Sequence, residues 1–189
     1  MRYCVPLLLC AAVAPASAQP PIQHRPHVHG ATIIDVVQDG RDLNLSFELS
    51  GLDAVGFEHT PKSGADKSAV SATLAILQSP DEWLMPNAQA HCVRTFIGVT
   101  PHIFQTAHED EPRGAAKQRR GDDYADIGVK YSFTCDMPLR LRTLKFDLID
   151  RFPKLRAVIV NLTLPGAQSQ AVITTPHAQI TLAAAAADD

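Results

Sequence analysis

The sequence is poor in the signals that announce an enzyme or a membrane-spanning protein. Beyond its first residues, no apolar run approaches the roughly 18 to 20 residues that a bilayer-spanning helix needs. There is no Gly-x-Ser-x-Gly elbow, no phosphate-binding glycine loop and no dinucleotide fingerprint, and "HEDEP" at 108–112 lacks the spacing of a His-Glu-x-x-His helix. These absences remove the commonest hydrolase, nucleotide-dependent and metallopeptidase chemistries. A strong charge of one sign is missing too: 17 Lys and Arg stand against 20 Asp and Glu, a formal net charge of −3. That balance gives no reason to expect nucleic acid or an anionic membrane surface as a partner. No internal repeat is evident. Cysteine is scarce, with four in 189 residues, none of them in a close Cys-x-x-Cys pair.

The opening "MRYCVPLLLCAAVAPASA" has Arg2, an apolar stretch from Val5 to Val13, and small residues at Ala16 and Ala18. This is the layout of a signal peptide over residues 1–18, cut before Gln19. A lipoprotein cut before Cys10 is disfavoured by the bulk of Leu9. The remainder, 19–189, suits one soluble exported domain with a full core. Export removes Cys4 and Cys10. Cys92 and Cys135 are left in an oxidising compartment, where two cysteines most often pair. The rival reading, two thiolate metal ligands, lacks the close pairing such sites use.

The chain that follows reads as mostly strand. "ATIIDVV" and "LNLSFEL" flank a turn at Asp39-Gly40 and form a hairpin. Val70, Leu74 and Leu77 fall at helical spacing, with Ser63 and Asp66 as a capping box and Pro80 as the stop. Strand pattern returns at "AHCVRTFIGV", and again at "IGVKYSFTC", whose alternate residues from Ile127 to Cys135 are apolar. Between them, residues 101–125 show no period and hold clustered charges, which predicts a mobile loop open to proteolysis. "LRTLKFDLI", "LRAVIVNLTL", "QAVITT" and "AQITL" complete seven or eight strands, with a tight turn at Pro165-Gly166. The fold class expected is α+β, a single domain whose mainly antiparallel sheet is covered by one or two helices. "NLT" at Asn161 matches a glycosylation acceptor, a pattern common by chance.

Histidine is the residue with a pattern. "HRPHVHGATI", 24–33, gathers three of the eight histidines where strand character begins. In an extended segment His27 and His29 face the same side and could share one ion, with His24 further back on the arm. Neutral imidazole suits borderline divalent metals, zinc above all. "GFEHTP" places Glu58 and His59 just after the first hairpin. His102 and His108 sit in the expected loop as weaker candidates, while His91 and His177 are isolated and read as structural. Protonated imidazole cannot coordinate, so a site of this kind weakens on acidification.

Taken in order, "HVHG", "GFEHTP", "AHC", "YADIGVKYSFTC", "LIDRFP" and "TLPGAQSQAVITTP" resemble the zinc-regulated, ZrgA-like periplasmic proteins of Gram-negative bacteria, over nearly the whole exported chain. The resemblance implies a periplasmic zinc-binding protein, not an enzyme, with zinc as its ion and a membrane zinc importer as partner. It implies no nucleic acid and no membrane insertion. Carried over residue by residue, the metal candidates are His27, His29, His59 and Asp126. Two departures thin the ligand supply. The family's central insert is rich in histidine, whereas 101–123 holds only His102 and His108. Its His-x-Asp becomes Tyr124-x-Asp126. A structural or interaction protein of the same fold, with a reduced or lost metal site, is therefore the alternative. A metal-dependent hydrolase is a third reading, for which Glu58 is the only obvious base beside the candidate ligands.

Overall fold

A computed structural model describes residues 29–102 and 126–182. The expected signal peptide, His24, His27, His108 and residues 103–125 of the expected loop lie outside them. Strands β1 (Ala31–Asp39) and β2 (Asp42–Ser50) form the expected hairpin around Gly40-Arg41. A four-residue helix, α1 (Gly51–Ala54), leads to α2 (Gly64–Gln78), then β3 (Leu84–Pro86), β4 (Cys92–Pro101) and β5 (Asp126–Cys135). The chain closes with β6 (Thr143–Phe146), the short α3 (Leu148–Arg151), β7 (Ala157–Leu164), β8 (Ala167–Ile173) and β9 (Ala178–Thr181).

Six strands make one sheet in the order β4-β5-β2-β1-β7-β8, and β3-β6-β9 make a second. The class is α+β, as expected, with two departures from the sequence reading. The second sheet adds a strand, β3, too short for its alternation to be read. One pairing, β1 with β7, is parallel, whereas every other is antiparallel. The β7–β8 hairpin turns at Pro165-Gly166 as expected, where Gly166 adopts φ +78, a backbone angle that only glycine holds cheaply.

The large sheet buries one face. Ile34 and Val36 on β1, Leu43, Leu45, Phe47 and Leu49 on β2, and the alternate residues Ile127 to Cys135 on β5 all point to the core. Their partners on the opposite face are polar and bond across strands: Asn161 donates to Asp35, Gln170 to Asn161, and the Ser132 hydroxyl to Asn44. Asn161 is thus a rung of this polar ladder.

Helix α2 closes the apolar side. Its capping box is formed: Ser63 accepts from the Asp66 amide while Asp66 accepts from the Ser63 amide. Val70 and Leu77 are buried and Leu74 is half-buried. Thr73 is buried with them, because its hydroxyl is satisfied by the Ala54 carbonyl at 3.0 Å. The helix's last carbonyls, which have no partner within the helix, are met by aromatic side chains. The Trp83 indole donates to Ile76 O and the Tyr131 hydroxyl to Leu77 O, at 3.1 and 2.6 Å. Burial pushes the Tyr131 phenol above its ordinary range. Trp83, the sole tryptophan, is fully buried and packs edge-on to Phe47, Tyr131 and Phe146, joining the helix and both sheets in one core.

Candidate functional site

Strand direction sorts the chemistry-bearing residues to the two ends of the large sheet. At one end lie the β1–β2 hairpin, His91 and the Cys92–Cys135 disulfide, whose cysteines are register partners on β4 and β5. At the other lie the start of β1, the end of β2, the end of β4 and the start of β5. Every metal candidate within the described residues belongs to this second end.

His29 precedes β1. Its Nδ1 lies 3.7 Å from Oε1 of Glu58, with the imidazole 58 % exposed and the carboxylate 38 %. That separation is too long for a hydrogen bond. It is close to the spacing of two ligand atoms on one tetrahedral zinc: bond lengths of 2.0–2.1 Å put such atoms about 3.3 Å apart. Glu58, which the sequence offered beside His59 in the "GFEHTP" segment and as a base, thereby comes against His29 at the start of β1. No local pattern could have paired it with a residue 29 positions earlier.

His59 follows directly. Its ring stacks on Phe57 with centroids 4.6 Å apart, and Nδ1 contacts the Thr60 carbonyl at 3.1 Å. A carbonyl only accepts, so the contact is made by an Nδ1–H, which leaves Nε2 as the ring atom turned to a ligand in the neutral imidazole. That is the arrangement by which a backbone carbonyl orients a metal-ligating histidine. Asp126 opens β5 opposite Ser50 and is buried, and it has interactions of its own. The His102 imidazole lies over Gly128, where a Cβ would meet its Nε2 at 3.4 Å. Gly128 shares a strand face with Asp126. His102 therefore sits at the same end as Asp126, beyond the loop role its sequence position suggested.

The chain between β1 and β2's far end is fixed by a buried carboxylate. Asp53, 5 % exposed, accepts the Gly30 amide with both oxygens at 2.9 and 3.0 Å and the Ser50 hydroxyl at 3.0 Å. The Gly30 carbonyl in turn accepts the Arg156 and Ala157 amides at 2.7 and 3.0 Å. Gly30 adopts φ +79, where a side chain would be strained and would meet the Arg156 stem at 3.4 Å.

The structure thus brings His29 against Glu58, with His59 one residue further along the same segment, and sets Asp126 and His102 on adjoining strand ends. His27 lies outside the described residues. Among the described residues, no group of three or more His, Cys, Asp or Glu side chains is placed to hold one ion. A cleft of about 560 Å³ lined by Val37, Gln38, Asp39, Pro138 and Leu139 opens at the disulfide end and carries no histidine or cysteine. His177 hydrogen-bonds Asp147 at 3.1 Å and His91 occupies a left-handed turn position, both away from the candidates.

A family model described as ZrgA family zinc uptake protein matches residues 26–182. The chain belongs to the ZrgA family. The match runs from residue 26 to just past β9, so it includes the large sheet and the strand ends near which the candidate residues lie. No curated protein matches the chain. Among the described residues, no helix is long and apolar enough to cross a membrane.

Proposed function

We propose that this protein is a periplasmic zinc carrier that binds the ion at the histidine end of its large sheet and either buffers it or hands it to a membrane importer. The observation that carries the reading is the approach of His29 Nδ1 to Glu58 Oε1 at 3.7 Å, a ligand-like spacing between side chains from segments far apart in sequence. His59, oriented through its Nδ1 contact, supplies a second imidazole from the Glu58 segment. His27 is the sequence's addition to this set, and Asp126 supplies a carboxylate on the neighbouring strand end. Membership of a zinc uptake family, an export leader and a disulfide support the compartment and the ion.

A carrier needs ligands that assemble at low entropic cost and release the ion on contact with a receiver. Residues held in the turn before β1 and in the segment after α1, at an exposed sheet end, meet both needs. The chain is a binder and not an enzyme in this reading: a hydrolase would need Glu58 free as a base, whereas here it lies at ligand distance from His29. Calorimetric titration of the mature, chelator-stripped protein with zinc tests the proposal. One tight site is expected, lost on replacing His29 and His59 together by Ala. Tight binding retained in that variant overturns it. An esterase and peptidase screen with and without chelator tests the non-enzymatic part, where chelator-sensitive turnover would overturn it.

A further inference from the structure

We infer that Asp53 is a positioning residue for this end of the sheet: its buried carboxylate fixes the chain just behind His29 and so sets the imidazole against Glu58. The inference rests on the zinc reading above and deepens it. A carboxylate in a protein interior is costly unless hydrogen bonds replace its water. Asp53 has two donors, the Gly30 amide, shared between both carboxylate oxygens, and the Ser50 hydroxyl.

None of these serves helix α1 alone. That helix has only four residues, and its N-cap is the Ser50 hydroxyl accepting from the Asp53 backbone amide. The Asp53 side chain instead reaches a residue 23 positions away, the one directly after His29. Gly30 is then held from both sides, by Asp53 at its amide and by Arg156 and Ala157 at its carbonyl. With the peptide fixed at φ +79, the direction in which His29 leaves the sheet is fixed too.

Asp53 is joined to the other ligand-bearing segments as well. Ser50, which donates to it, is the register partner of Asp126, and five residues beyond Asp53 the same chain supplies Glu58. The His29 and Glu58 segments are therefore tied through one buried side chain, and the Asp126 strand is linked to it through its register partner Ser50. Charged acceptors make the stronger and more directional hydrogen bonds. An amide in its place would turn a donor towards Gly30 or Ser50.

The test compares Asp53→Asn with Asn87→Ala in the mature protein. Asn87 is the matching clamp at the opposite end, where its side-chain oxygen accepts the Arg142 and Thr143 amides at 2.8 and 3.1 Å. Both variants lose some thermal stability, and only the first loses zinc affinity, by roughly 10- to 100-fold, the usual cost of removing a group that orients a ligand. Hydrogen exchange at the Gly30 amide, measured without zinc, should quicken in Asp53→Asn and stay unchanged in Asn87→Ala. Equal zinc affinity in Asp53→Asn and wild type overturns the inference. So does an equal loss in both variants, which would mark a general effect of destabilisation. Wild-type protein that takes up no zinc, or that is indifferent to His29→Ala, overturns the zinc reading itself and this inference with it. In that case quickened Gly30 exchange in Asp53→Asn would show a clamp that holds the strand alone. Should Asp53→Asn not fold, Ser50→Ala, which removes one of the two donors, replaces it: a several-fold weaker zinc site is expected, and an unchanged one overturns the inference.

Discussion

The two ends of the six-stranded sheet are built from different chemistry. At the disulfide end the neighbouring strands β4 and β5 are joined covalently through Cys92 and Cys135, and β1 turns into β2 in two residues. At the histidine end no tight turn joins neighbours. The strand ends are held by side chains that reach the backbone of distant segments, Asp53 to Gly30 and Thr32 to Glu48. One end is locked by topology and a covalent bond, and the other by hydrogen bonds that fix geometry without closing the surface. The proposed site, which would have to admit and release an ion, lies at the second.

The largest expected effect is at the locked end. Replacing Cys92 and Cys135 by Ser removes a cross-link spanning 43 residues. The chain-entropy estimate puts the loss at about 4 kcal/mol. Calorimetric unfolding should show a lower midpoint, while zinc affinity measured well below that midpoint stays at the wild-type value. A parallel loss of affinity would show that the two ends are not independent.

The next effect reports on the open end. Zinc at a hundredfold its dissociation constant should stabilise the wild-type protein by about 2.7 kcal/mol through mass action. The His29→Ala, His59→Ala variant should unfold at the wild-type midpoint without zinc and gain nothing from it. A midpoint that still rises with zinc would place the ligands elsewhere.

A sharper contrast uses two glycines at nearly the same backbone angle. Gly30 at φ +79 and Gly166 at φ +78 stand at opposite ends, and each should cost about 1 to 3 kcal/mol when changed to Ala. A side chain at Gly166 meets nothing within 4 Å, whereas one at Gly30 meets Arg156. Chemical denaturation should therefore find Gly30→Ala the more destabilised. Zinc titration should find only that variant impaired. Equal impairment would break the distinction.

The smallest effect is a pH dependence at the start of α2. The Ser63 hydroxyl, then the Lys62 and Ser63 amides, hold Asp66 down to a pKa of about 2. A carboxyl lowered on folding contributes stability that is complete above its unfolded pKa near 3.9 and is lost as pH falls through the folded value. Between pH 4 and 2, wild-type stability should fall more steeply than that of Asp66→Asn. Identical slopes would remove the capping box from the account.

What was legible in the sequence is what is local. The hairpin at Asp39-Gly40, the Ser63–Asp66 capping box, the alternation from Ile127 to Cys135 and the pairing of Cys92 with Cys135 each rest on neighbouring residues or a simple count. The parallel pairing of β1 with β7 joins residues 126 apart, and nothing in either strand names the other. Strand β3 has three residues, fewer than an alternation needs. The same limit applied to the site. His29 and His59 stood out as residue types, but the approach of Glu58 to His29 and the reach of Asp53 to Gly30 arise only when the chain folds back. Asp53, in "SGLD", has the same Ser-x-x-Asp capping spacing as Ser63–Asp66, but nothing in that spacing names Gly30.

The parallel β1–β7 pairing also has a bearing on how the chain is put together. For a polypeptide delivered N-terminus first, β1 arrives early, and β2, β4 and β5 can join it as the antiparallel run β4-β5-β2-β1 once Cys135 has emerged. The cysteines are then already opposite one another, while the far edge of β1 still waits for β7, whose first residue is Ala157. Throughout that interval Ile34 and Val36 lie on an uncovered border strand, the kind of surface that recruits foreign strands. Delivery of the last third of the molecule, rather than oxidation, is the step that ends this exposure.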